Sequence, residues 1–189
     1  MKKGASFSKF LLINFFVLLF QFVIGCTSLQ SDASNDIENY KIATPDYIVL
    51  SEKSLDLLAS FELDSFASML SDDVEYEFPN GKKLVGKIAL INYWKNYKNT
   101  SGIKSMKIIN ANYLPVDTHI KPKGDETQGI KVGADFTNNM IFDRMDISVK
   151  MNFNFHFNDK KMINRIMTYY DQTLITNASK VDVLQKTGM

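Results

Sequence analysis

The chain has 189 residues, 45% hydrophobic and 12% aromatic, which suits one core-bearing domain with extensions and is too apolar for disorder. Three of its 22 basic residues and none of its 21 acidic ones fall in the first 25, so the remainder is slightly acidic. A near-neutral domain without a basic patch argues against nucleic acid as a partner. The single cysteine rules out internal disulfides, so the core alone must hold the fold.

Lys2, Lys3 and Lys9 flank the start of an apolar run, Phe10 to Ile24, interrupted by Asn14 and Gln21. That run is short for a membrane span, which needs roughly 20 residues. It suits the h-region of a secretory signal peptide, residues 1–25. The run ends in Val23-Ile24-Gly25-Cys26, which resembles the bacterial lipobox, where cleavage before the cysteine follows its lipidation. A plain signal peptide with an incidental cysteine is the alternative. The resemblance implies a diacylglycerol thioether on Cys26, further acylation of palmitate type, and a membrane as partner. At about 0.8 kcal/mol per buried methylene, several acyl chains anchor durably. Thr27 follows the cysteine in place of aspartate, which by analogy favours the outer membrane of the cell envelope over the inner. Residues 26–43 then read as the lipidated cysteine and a polar tether.

The domain itself is expected over 44–176. Thr44-Pro45-Asp46 reads as an N-cap with proline at the first helical position. Tyr47, Leu50, Ser54, Leu57, Leu58 and Phe61 fall on one helical stripe behind it. Asp64 opens a shorter helix with Phe66, Met69 and Leu70. Val74 to Phe78 alternates as a strand, Pro79-Asn80-Gly81 is a turn, and Lys82 to Val85 returns. Lys87 to Lys98 is a third helix with Leu90, Ile91, Trp94 and Tyr97 on its inner face.

Strands are expected near Ile103 to Leu114 and Ile130 to Asn139, joined by a polar loop from Pro115 to Gly129. From Ile147 the alternation is nearly unbroken. Ile147, Val149, Met151, Phe153, Phe155 and Phe157 point one way; Ser148, Lys150, Asn152, Asn154 and His156 point the other. Asn158-Asp159-Lys160-Lys161 is a turn, and Met162 to Ile175 reads as the second strand of a hairpin. Its apolar face needs a covering layer, which the three earlier helices supply. Residues 177–189 read as a polar tail.

The run from Leu57 to Trp94 resembles the SnoaL-like branch of the nuclear transport factor two superfamily. The resemblance rests on Leu70-Ser71-Asp72-Asp73-Val74 entering a strand, Phe78-Pro79-Asn80-Gly81, and Val85-Gly86-Lys87 opening a helix that carries Trp94. At the other end, Asn158 to Ile163 matches the family's polar turn, and Tyr169-Tyr170-Asp171 resembles its closing aromatic-aromatic-Asp strand. The family implies an α+β, cystatin-like cone: a curved antiparallel sheet over three N-terminal helices, with an apolar pocket between them.

The resemblance also directs the search for chemistry. Ketosteroid isomerase, of this superfamily, uses apolar surroundings to tune carboxyl groups, and in the related limonene epoxide hydrolases a matching aspartate activates water. Asp171 shares parity with Met167 and Tyr169, so it is the candidate general base of a hydrolase, isomerase or cyclase. A structural carboxylate is the alternative. Asp135 is expected to face solvent. Arg144-Met145-Asp146 matches the epoxide hydrolases in letters but not in register, because Asp146 shares the polar face of Ser148 and Lys150.

Tyr76, Phe78, Trp94, Met106, Met167 and Tyr169 are expected in the pocket wall, where core and pocket are partly the same residues. His119 and His156 stand apart, so neither metal nor cofactor is expected. The leading expectation is a lipid-anchored domain binding a small apolar ligand or a partner protein. Catalysis through Asp171 and a structural homodimer through the Asn-rich outer sheet face are the alternatives.

Overall fold

The computed structural model describes residues 41–118 and 129–179, all within a compact unit that begins at Asn39. The segment expected to be a signal peptide, Cys26, His119 and residues 180–189 lie outside the described residues. The elements run β1 (Lys41–Ile42), α1 (Asp46–Ala59), α2 (Leu63–Ser68), β2 (Leu70–Glu77), β3 (Lys83–Val85) and α3 (Lys87–Thr100). There follow β4 (Ile103–Asp117), β5 (Ile130–Phe142), β6 (Asp146–Phe157), β7 (Ile163–Tyr170) and α4 (Gln172–Ala178). The architecture is α+β, as the sequence pattern implied. One seven-stranded sheet has the order β1-β4-β5-β6-β7-β2-β3. Its neighbours are antiparallel except β2 and β7, which run parallel, a departure from the wholly antiparallel expectation.

Three boundaries differ from the expected ones. The tether was expected to reach Ala43, yet Lys41 and Ile42 pair with Asp117 and Val116, and Ala43 N–H donates to Pro115 O at 3.1 Å. Proline at 115 does not end β4; its carbonyl faces the short edge strand β1 and accepts from Ala43, so its missing N–H falls on that side and leaves the β4–β5 ladder intact. The last strand stops at Tyr170, five residues before the expected Ile175, because the chain turns there into α4.

Sequence chemistry explains the local structure. α1 buries Ser51, Ser54, Leu55 and Leu58, a stripe rotated from the expected one. The small serines let the helix approach the sheet, and their hydroxyls donate to Tyr47 O (2.9 Å) and Ser51 O (2.8 Å) one turn back. α3 opens at Gly86, whose φ of +95° suits glycine and whose N–H donates to Val74 O at 2.8 Å. It buries Leu90, Ile91, Tyr93, Trp94 and Tyr97. β6 buries Val149, Met151, Phe153, Phe155 and Phe157, as its alternation predicts.

The β6–β7 hairpin carries one irregularity with large consequences. Phe157 pairs with Ile163, but His156 pairs with Arg165, so Asn164 is an extra, bulged residue. An unbroken hairpin continued from Phe157–Ile163 would set Phe153 against Met167 and Met151 against Tyr169. The bulge shifts the register by one, and Phe153 meets Thr168 while Met151 meets Tyr170. Every later side chain of β7 therefore changes face. A second irregularity between Ile109 and Asn112 on β4, with Asn110 at φ +53°, adds to the sheet's bending.

Candidate ligand cavity

The helices and the inner sheet face line a cavity, open at its mouth, whose enclosed space is about 50 Å³. Leu55, Leu58 and Ala59 line it from α1, and Tyr93, Trp94 and Tyr97 from α3. Spacings of three and four residues put the α3 rings side by side. Trp94 stands edge-on to Tyr93, Tyr97 and Tyr76, at 5.2, 5.6 and 6.2 Å between centroids. The sheet contributes Tyr76, Met106, Ile108, Phe136, Asn138, Met140, Met151, Phe153 and Tyr170, and α4 contributes Ile175.

Four polar atoms in this wall are buried without a hydrogen-bond partner among the described residues: Tyr76 Oη, Trp94 Nε1, Tyr97 Oη and Asn138 Oδ1. Their residues are 0%, 8%, 4% and 5% exposed. A buried polar group left unpaired costs about 1–3 kcal/mol. Four in one apolar cavity mark a place where something else supplies the bonds.

The phenols are held neutral. Burial pushes Tyr76 well above its ordinary 10.0, and the nearby phenols of Tyr170 and Tyr93 add to the rise. The Thr168 hydroxyl beside it opposes the shift, but Thr168 donates to Glu77 O at 2.9 Å and forms no bond of good geometry with Tyr76. Burial also raises Tyr97, helped by Tyr170; the Ser101 hydroxyl beside it opposes the shift but forms no bond of good geometry with Tyr97. Tyr170 is pushed up to about 12, again by burial. At neutral pH all three are hydrogen-bonding hydroxyls rather than bases. No Asp, Glu, Lys, Arg or His lines the cavity among the described residues.

Of the residues expected in the wall, Tyr76, Trp94 and Met106 line the cavity. Phe78 lies behind it, buried and packed edge-on against Tyr76 and Tyr93. Met167 and Tyr169 do not line it. The bulge at Asn164 turns them to the outer face, where Tyr169 is 50% exposed.

Asp171 is likewise not in the cavity. It is exposed as the N-cap of α4, and its Oδ1 accepts from Thr173 N–H at 2.9 Å. The expected strand parity fails because the strand has already ended. Asp135 faces solvent, as expected, accepting from Asn152 Nδ2 at 2.7 Å. Arg144 and Asp146 are both exposed at the β5–β6 turn. His156, expected on the polar face, is buried there. Among the described residues no three His, Cys, Asp or Glu side chains are grouped to hold a metal.

Sequence reasoning missed Asn138 and Tyr170. Asn138 was findable, since it shares parity with Phe136 and Met140 and is thus a polar residue at a buried position. Tyr170 was not, because only the bulge turns it inward.

Fold and site together define an α+β cone with the fold of SnoaL-like proteins, whose cavity wall carries no charged side chain among the described residues. No sequence-family model and no curated protein matches the chain. Solved structures do match its fold. A candidate polyketide cyclase from Silicibacter sp. TM1040 is 15% identical, with 75% of this chain and 100% of that one covered and a TM-score of 0.56. An LEH-like epoxide hydrolase of M. tuberculosis is 17% identical over 77% of this chain and 94% of its own, with a TM-score of 0.52. A candidate ketosteroid isomerase from Kribbella flavida DSM 17836 is 16% identical, covering 68% and 80%, at 0.50. At such identities the likeness is one of fold.

Proposed function

We propose that this domain binds a small, mostly apolar, uncharged ligand in its cone cavity, held at a bacterial envelope membrane by lipid on Cys26. The observation that supports binding is the set of four unpartnered neutral polar atoms in an apolar wall without charged side chains. Such a wall orients a ligand without supplying a group that takes up a proton near neutral pH. The lipobox resemblance of Val23-Ile24-Gly25-Cys26 supports the anchor, with an outer-membrane location following from Thr27.

Binding is tested by thermal shift of the purified protein against small uncharged ring compounds. Occupation at 100 times Kd stabilises by about 2.7 kcal/mol, a readily visible rise in Tm. A panel in which no compound raises Tm counts against the reading. The anchor is tested by labelling cells with a palmitate analogue. Wild type should be labelled and Cys26→Ala should not; equal labelling defeats the anchor alone.

The second reading is an enzyme, a hydrolase, isomerase or cyclase, supported by the described activities of the proteins that share the fold. Asp171 is a poor base for it, since its carboxylate caps α4 in solvent. The cavity's own chemistry would be hydrogen-bond donation from Trp94, Tyr76 and Tyr97.

A further inference from the structure

The unpartnered atoms differ in kind, and that difference narrows the ligand. Asn138 Nδ2 is directed at Met106 Sδ, 3.7 Å away, so the atom left over is the carbonyl oxygen, an acceptor only. Trp94 Nε1–H is a donor only. The Tyr76 and Tyr97 hydroxyls, kept protonated by burial, do either. Trp94 and Tyr97 come from α3, and Tyr76 and Asn138 from β2 and β5 of the sheet, so helix and sheet both bring polar atoms to one cavity.

A hydrocarbon would fill the cavity and leave all four atoms orphaned. A carboxylate would bring a charge into a wall without a cation and would find no use for Asn138 Oδ1. A ketone would accept a hydrogen bond from Trp94 or a phenol but could donate none to Asn138. A hydroxyl does both, donating one hydrogen bond and accepting another.

We infer, resting on the binding reading above, that the cavity selects uncharged ring compounds bearing a hydroxyl, which donates to Asn138 Oδ1 and accepts from Trp94 or a neighbouring phenol.

The test uses the full chain, with 4-propylphenol, propylbenzene and 4-propylbenzoate as probes of one shape. Affinities come from calorimetry, and quenching of Trp94, the sole tryptophan, reports occupation. The phenol should bind about tenfold or more tighter than propylbenzene, equivalent to about 1.4 kcal/mol, although the hydrocarbon is the more apolar. The benzoate should bind weakest. In Asn138→Leu the phenol's advantage should shrink to about twofold. Tyr97→Phe, which keeps the ring, should also reduce it and serves if the leucine variant does not fold. Propylbenzene or the benzoate binding as well as the phenol overturns the inference and leaves the cavity a general apolar site. An undiminished phenol preference in both variants also overturns it. If none of the three binds, the inference and the binding reading fall together.

Discussion

Asn138 on β5 sets its amide nitrogen 3.7 Å from the sulfur of Met106 on β4, and its carbonyl oxygen is buried without a donor. A sulfur is a weak acceptor, so the amide gains little for its loss of water. Asn138→Leu removes the orphan at similar volume. It should raise the stability of the ligand-free protein by about 1–2 kcal/mol, measured by urea denaturation. A loss of that size would show that the amide is satisfied in solution.

Deleting Asn164 should straighten the β6–β7 hairpin and reverse the facing of β7. Ile166, Thr168 and Tyr170 would turn outward, and Met167 and Tyr169 inward. Exposing each large apolar side chain costs about 1.5–3 kcal/mol, so the deletion should unfold the domain or abolish its cooperative melt. A deletion variant that melts like wild type would mean the bulge migrates freely.

Asp171 should behave as a cap. Asp171→Ala removes the acceptor for Thr173 N–H and should cost about 1 kcal/mol. Asp171→Asn, which keeps a capping oxygen, should cost much less. Neither should change ligand affinity. A large loss of binding in the asparagine variant would restore Asp171 as a site residue.

Stability should fall steeply in alkali. The folded phenol of Tyr170 is raised to about 12 and that of Tyr76 well above 10.0, chiefly by burial. Below the unfolded value both states are protonated and the contribution is complete. As pH rises from about 10 toward 12 the unfolded chain releases protons first, so the folded state loses ground. Each such tyrosine removes up to about 1.4 kcal/mol per pH unit. Denaturation midpoints across this range should drop, and Tyr76→Phe should make the drop shallower. A flat profile would mean the phenols ionise freely in the fold.

Much of the fold was legible because period-two and period-3.6 patterns survive in the core. The β6 alternation, the inner face of α3 with Trp94, and the turn at Asn158 all follow from local chemistry. The β7 side of the site was not legible, because β7 has apolar residues on both parities. Ile166 and Tyr170 compete with Met167 and Tyr169, and a single bulged residue decides between them. Local pattern cannot show a one-residue slip made by long-range pairing. The fate of Asp171 was closer to hand: Asp before Gln172-Thr173 is an N-cap signature that the strand reading overrode. The parallel pairing of β2 with β7 joins segments nearly a hundred residues apart and leaves no local trace.

The central claim is that the cavity between α1, α3 and the sheet is a ligand site. Because Trp94 is the only tryptophan, its indole N–H gives one resolvable signal in a heteronuclear NMR spectrum. On titration with 4-propylphenol that signal and the Asn138 side-chain amide should shift and saturate together, while the backbone amides of Tyr169 and Asp171 stay in place. Saturable shifts at the outer face with an unmoved Trp94 indole would contradict the account.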